Sequence, residues 1–243
     1  MKFSPRTALT AAYALLALTA IAACQAPASE SEPSATPAVT IDLQAPLEPQ
    51  LLKAIQDDDA ATLSALLEAG ASVTADLGNG NQALHVAASG SKADLIPILV
   101  AAGADINATA SGGATPLMFA ADRADGATVL ALLDAGADAY LADTAGYEVT
   151  AIHRAGRAGN VAALKALVDA GVDVNLLEGT GAHALMYAAY FGQADAVTYL
   201  IEAGSHLEQR DDANSTSYEW AVYQGHDEVA QILAAAGADT DGP

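Results

Sequence analysis

An Ala-Gly pair returns along this chain with a nearly constant period, at Gly70, Gly103, Gly136, Gly171, Gly204 and Gly237. The successive separations are 33, 33, 35, 33 and 33 residues. Each pair closes a short apolar run of helical character. A fixed period of this length excludes one core closed on itself. It requires a stack of similar units, each burying its apolar face against its neighbours. The composition agrees. The chain is 52% hydrophobic but only 5% aromatic, and much of the apolar content is alanine, which lets helices pack close together.

A second signal returns between the glycines. It reads Gln82-Ala83-Leu84-His85, Thr115-Pro116-Leu117-Met118, Thr150-Ala151-Ile152-His153, His183-Ala184-Leu185-Met186 and Thr216-Ser217-Tyr218-Glu219. A small-residue helix follows each, as in Val86-Ala87-Ala88 and Tyr187-Ala188-Ala189. Threonine before a helix caps its first turn, and proline fits that turn because its missing N–H costs little there. Glycine after the second helix accepts the left-handed conformation that ends it.

Together these motifs resemble the ankyrin repeat, with its Thr-Pro-Leu-His start, Ala-Ala first helix, Leu-Leu second helix and Gly-Ala-Asp ending. Ala104-Asp105-Ile106-Asn107 and Val172-Asp173-Val174-Asn175 match that ending closely. The resemblance implies an all-α ankyrin-repeat solenoid of about six helix-turn-helix repeats with short β-hairpin loops. It covers about residues 49–243, with repeats at about 49–81, 82–113, 114–148, 149–181, 182–214 and 215–243.

Some positions depart from the pattern. Ser91, with Asp94 three residues on, reads as a possible helix start. Pro97 falls inside the second helix of repeat two, where it should kink the chain. The 35-residue interval holds a two-residue insertion, Tyr147-Glu148, beside the hairpin tip Asp143-Thr144-Ala145-Gly146. Tyr147 is therefore either a contact point or part of a neutral loop insertion.

The N-terminus reads as an address. Lys2 and Arg6 precede an apolar stretch from Ala8 to Ala23, short for a membrane span. It ends Ile21-Ala22-Ala23-Cys24, which resembles the lipobox of bacterial lipoproteins and holds the only cysteine of the chain. The resemblance implies a signal peptide over 1–23, lipidation of Cys24 and a place in the bacterial cell envelope, with Gln25 pointing to the outer membrane facing the periplasm. The competing reading is an ordinary secretory signal with an incidental cysteine. A lone cysteine excludes an internal disulfide. Residues 24–48, with Pro27, Pro33, Pro37 and Pro46 among Ala, Ser, Thr and acids, have no periodicity and read as a disordered tether.

The net charge is −21 over the whole chain, from 30 acids and 9 bases. Such an anion repels nucleic acid and anionic lipid, and favours a basic or neutral partner or simple solubility. No nucleophile elbow, phosphate loop, metal spacing or calcium loop is present in the sequence. The expectation is a non-catalytic chain with no cofactor or metal, binding a protein as a monomer. In the ankyrin resemblance His85 and His153 bond a neighbouring repeat.

What remains is a surface. Family ligands contact hairpin tips and the exposed side of the first helices. There Arg123, Arg154 and Arg157 are followed by Tyr187, Tyr190 and Phe191, then Trp220 and Tyr223. Arg, Tyr and Trp are usual interface anchors. One reading is a concave groove running from a small basic patch to an aromatic shelf. The other is local: Arg154 pairs with nearby acids, and Tyr187 and Trp220 pack between repeats.

Overall fold

A computed structural model describes Val39, residues 41–123 and residues 125–241 of the protein. The expected signal peptide, Cys24 and the expected tether up to Ala38 lie outside the described residues. Twelve α-helices follow one another among those described. The first helices of the six repeats are α1 (Leu47–Gln56), α3 (Ala83–Ser89), α5 (Pro116–Arg123), α7 (Ala151–Ala158), α9 (Ala184–Tyr190) and α11 (Ser217–Gln224). The second helices are α2 (Ala60–Glu68), α4 (Ile96–Ala101), α6 (Gly126–Asp134), α8 (Val161–Asp169), α10 (Ala194–Glu202) and α12 (Asp227–Ala235). First helices pack on first helices in chain order, and from α4 onward the second helices form a parallel outer row. No described helix is long and apolar enough to cross a membrane.

Small residues set the spacing of the inner row. Ala83, Ala87, Ala88, Ala120, Ala121, Ala155, Ala184, Ala188, Ala189 and Ala221 are all fully buried. The approach is tightest between α7 and α9, where a Cβ added to Gly156 would meet the Ala184 carbonyl oxygen at 2.5 Å. Leucines and isoleucines fill the layer behind, among them Leu63, Leu66, Leu95, Leu99, Leu132, Leu164, Leu167, Leu200 and Leu233.

The periodic glycines end the second helices as expected. Gly70, Gly103, Gly136, Gly171, Gly204 and Gly237 take φ between +90° and +100°, a region that L side chains rarely adopt because Cβ crowds the backbone there. The amide after each glycine then bonds back into the helix, as from Ala137 N to Leu132 O at 2.9 Å.

The hairpins contain no β-strand among the described residues. Each closes by one bond at an equivalent position, donated by Leu77, Ala110, Asp143, Glu178 and Asp211 to Asn81, Ala114, Val149, Ala182 and Ser215. Neighbouring tips are joined by single bonds, such as Thr144 N to Gly112 O and Asp212 N to Thr180 O. One bond per tip is too few to build a ladder, so the expected β-hairpins are tight turns here.

Two further expectations change. Ser91 does not cap a helix; it takes φ +57° in the turn between helices, and its hydroxyl accepts from Asp125 N. Pro97 does not kink a continuous helix either. A 3-10 turn over Ala93–Leu95 precedes α4, so Pro97 lies in the first turn of the α-helical segment, where no N–H is required. The folded unit also begins before residue 49. Ile41 packs against the core, and Gln50 clamps Asp42 through bonds to its N–H and carbonyl at 3.1 and 2.8 Å.

Two glycine substitutions separate conformational strain from crowding. Gly136→Ala meets no atom within 4 Å, so its cost is conformational alone, about 1–2 kcal/mol. Gly156→Ala keeps an ordinary helical backbone but overfills the α7–α9 contact, for about 1–3 kcal/mol. Urea unfolding is expected to show both losses, with Gly136→Ala rescued by Asn and Gly156→Ala not rescued by any larger residue.

Candidate functional site

Because small residues occupy the inward face of each first helix, its larger side chains stand on the opposite face, over the hairpins. They line a concave groove across repeats three to six. Its deepest part is a cavity of about 580 Å³ bounded by Asp143, Arg154, Arg157, Tyr187, Tyr190 and Trp220. Tyr147 and Phe191 complete its rim, while Tyr223 borders an adjoining hollow beside Trp220. Arg123 is exposed and lines neither.

The expected basic patch is absent from the groove, because its arginines are neutralised. Arg154 is largely buried and donates from Nη1 to Asp122 Oδ2 at 2.8 Å and from Nη2 to Asp143 Oδ2 at 2.9 Å. Arg157 donates from Nη2 to Asp122 Oδ1 at 2.7 Å. A guanidinium taken this far from water is held only with a carboxylate beside it. The local pairing of Arg154 is therefore what the structure contains, and Asp122 serves both arginines.

The aromatic side chains do gather. Phe191, Tyr190, Trp220 and Tyr223 form a continuous strip, with successive ring centroids 5.0, 5.2 and 5.9 Å apart and ring planes at 60–84°. Such edge-to-face contacts suit ring quadrupoles. Trp220 is fixed by its indole N–H, which donates to Asp211 Oδ2 at 2.7 Å. The strip stays open: Tyr190 is 38%, Phe191 46% and Tyr223 79% exposed. His226 steadies its base through a ring nitrogen 3.0 Å from the Tyr190 carbonyl. The inserted Tyr147 is exposed, and its carbonyl accepts from Gly179 N at 2.9 Å.

Three carboxylates form a column that the sequence reading did not assemble, although it named Asp143 as part of a hairpin tip. Asp143, Glu178 and Asp211 occupy the same hairpin position in successive repeats, 35 and 33 residues apart. Opposite them on the following first helices stand Arg154, Tyr187 and Trp220, which also share one position, 33 residues apart. Asp143 has an arginine and Asp211 an indole N–H. Glu178 is 6% exposed and its Oε1 accepts from Thr180 Oγ1 and from Ala182 N, but Oε2 has no hydrogen-bond partner. Burial, then the charge of Glu178, raises the Tyr187 hydroxyl pKa to about 12, against the opposing pull of Arg157.

Buried histidines beneath the groove tie first helices to the loop that ends their own repeat, rather than to a neighbouring repeat as the resemblance implied, although His85 also reaches Ala114 O of the next repeat at 3.2 Å. His85, His153 and His183 each place Nε2 2.9–3.1 Å from a carbonyl 23 residues ahead, in Ala108, Leu176 and His206. In His153 the carbonyl requires Nε2 to carry the proton, and Nδ1 accepts from Thr150 N at 3.3 Å. Its ring also supports Tyr187 edge-on at 5.8 Å. Charging it would need a proton on Nδ1, where a donor already points. Among the described residues no group of three or more His, Cys, Asp or Glu could hold a metal ion.

A family model described as ankyrin repeats matches residues 51–143, 125–211 and 152–242. Palmitoyltransferase Hip14 of Drosophila melanogaster is 32% identical over 98 residues, 40% of this chain and 15% of that protein. The probable E3 ubiquitin-protein ligase XBOS31 of Oryza sativa subsp. japonica is 33% identical over 95 residues, 39% of this chain and 21% of that protein. The matches thus span about a fifth or less of those relatives' length. Among solved structures, the human ASB11 ankyrin repeat domain superposes with TM-score 0.68 and 26% identity, covering 81% of this chain and 86% of that one. A chain from the structure of Bd0816, a predatory endopeptidase of Bdellovibrio bacteriovorus, in complex with immunity protein Bd3460 gives TM-score 0.63 and 23% identity, covering 76% and 96%.

The histidine pins carry a pH signature. Desolvation lowers the pKa of His153 to about 4, and those of His85 and His183 also lie below the ordinary value. Above pH 6.5 the rings are neutral in both folded and unfolded chains, and their full contribution is present. As pH falls from 6.5 to 4, the unfolded chain takes up protons that folded His153 refuses, which removes up to about 3 kcal/mol. The melting temperature is expected to fall across that window, and to fall less steeply in His153→Gln, whose amide can still donate to Leu176 O.

Proposed function

The chain belongs to the ankyrin-repeat family, and we propose that it is a non-catalytic protein-binding module whose partner lies along the concave groove. The observation that carries this reading is the open aromatic strip beside a cavity of about 580 Å³. Exposed Tyr and Phe around a half-buried Trp, held by their neighbours, supply contact area at little entropic cost, as interface anchors do. Ankyrin scaffolds bind many unrelated targets, so the site and not the fold has to argue the partner.

We extend the proposal to a scaffold or regulator of an envelope protein, anchored by lipid at Cys24. Its support is the lipobox-like sequence of residues 21–24. A narrower version is an immunity or inhibitor protein that masks a basic toxin or enzyme. The acidic surface favours it; the likeness to a chain of the Bd0816–Bd3460 complex carries the fold alone. A partner whose activity vanishes in the complex selects the inhibitor, and one that stays active selects the scaffold.

Affinity capture from solubilised envelope tests the reading. The native protein is expected to retain a partner at stoichiometric yield. The Arg157→Ala, Tyr190→Ala and Tyr223→Ala triple variant changes two exposed tyrosines and a half-exposed arginine whose partner Asp122 keeps Arg154, so it should keep the native circular dichroism and lose the partner at least tenfold. Equal recovery by both proteins would move the interface off the groove. An empty native capture would favour a structural lipoprotein without a specific partner.

A further inference from the structure

We propose that the partner inserts a lysine or arginine side chain into the groove, its cation over the faces of Tyr190 and Trp220 and close to Asp211. The proposal rests on the groove reading above and names the chemistry of its occupant.

Charge complementarity carries it. The two arginines of the cavity wall are spent on Asp122 and Asp143. From residue 182 to the end the chain holds ten acids and one base, Arg210. That base is tied to Glu219 at 3.2 Å. The aromatic half of the groove therefore has no free cation, and its surroundings are strongly anionic. Asp143 and Asp211 line the cavity, and Glu178, at the same hairpin position between them, is buried behind it. Asp143 meets a guanidinium, whereas Glu178 meets none and keeps one oxygen without a hydrogen bond. The pKa of the Tyr187 hydroxyl at the cavity wall is raised first by burial and second by the charge of Glu178.

The rings supply the other half of the recognition. A cation over Trp or Tyr is drawn to the negative face of the ring, more strongly where water is excluded. Trp220 is held by Asp211, which leaves the indole negative face and a carboxylate on one side of the cavity. An acidic segment would meet the opposite situation, with every nearby cation already paired and carboxylates outnumbering them. The occupant is a protein segment and not a small polyamine, because the cavity opens along a groove crossing four repeats, and such a groove fits an extended chain or loop.

Trp220 is the only tryptophan of the chain, so its fluorescence reads occupancy directly. The probe is a short Gly/Ser peptide carrying two arginines, titrated into the folded full chain at physiological ionic strength. Lysine, glutamine and glutamate versions and spermidine are run beside it. We expect a saturable change with the arginine and lysine peptides. Tyr190→Leu and Tyr223→Leu together should weaken it about fivefold or more with no change in protein charge, which separates the strip from general attraction to an anion. Asp211→Asn should weaken the arginine peptide more than the lysine one. Equal response to the glutamine or glutamate peptide would overturn the proposal, as would spermidine matching the peptides, or titrations unaffected by the tyrosine substitutions. A partner that the triple alanine variant fails to capture, in a protein showing no preference for basic peptides, would leave the binding module standing and remove the cation subsite.

Discussion

The architecture depends on how closely consecutive first helices approach. Gly156 lies against the Ala184 carbonyl at a distance no Cβ would tolerate, and fully buried alanines line the same row above and below it. Packing of this kind is close to that of an organic crystal, so one added methyl is felt. The consequence for function is geometric. A helix whose inner face is small and committed to its neighbour has only its other face on which to carry Arg, Tyr and Trp. Six such helices in register turn that face into one continuous wall, and the hairpins supply the other.

Electrostatics then divides the groove. In repeats three and four, carboxylates and guanidinium groups form a closed chain, Asp143–Arg154–Asp122–Arg157. Its partly buried members rigidify the wall and contribute little net attraction for a charged partner. Across repeats four to six, the same hairpin and helix positions carry Glu178 with Tyr187 and Asp211 with Trp220. There carboxylates face rings, and the field is not cancelled. A single repeated geometry thus yields a neutral half and an anionic aromatic half.

Much of this was legible in the sequence. The period of the Ala-Gly pairs gave the number of repeats, and φ values near +90° at all six glycines follow from the same steric rule that made glycine necessary. The aromatic residues that gather were readable as successive positions on first helices. The acids were harder to see. The insertion Tyr147-Glu148 moves Asp143 eleven residues from Arg154, whereas Asp211 precedes Trp220 by nine, so the column does not stand out by spacing. Reading Arg123, Arg154 and Arg157 as a patch left out Asp122, which one helix face brings to both Arg154 and Arg157. The proline in repeat two misled for a related reason: Pro97 ends one kind of helix and begins another, and only the observed 3-10 turn before it reveals the compromise.

The central claim is that recognition takes place on the inner wall and not on the outer row of second helices. Site-specific photocrosslinking in the cells that make the protein tests it most directly. A benzophenone side chain would replace Tyr190 on the strip in one variant, and Lys165, well exposed on α8, in another. The account predicts one dominant protein adduct from position 190 and none of that mass from position 165. An adduct from position 165 with none from position 190 would place the partner on the other side of the solenoid and contradict it.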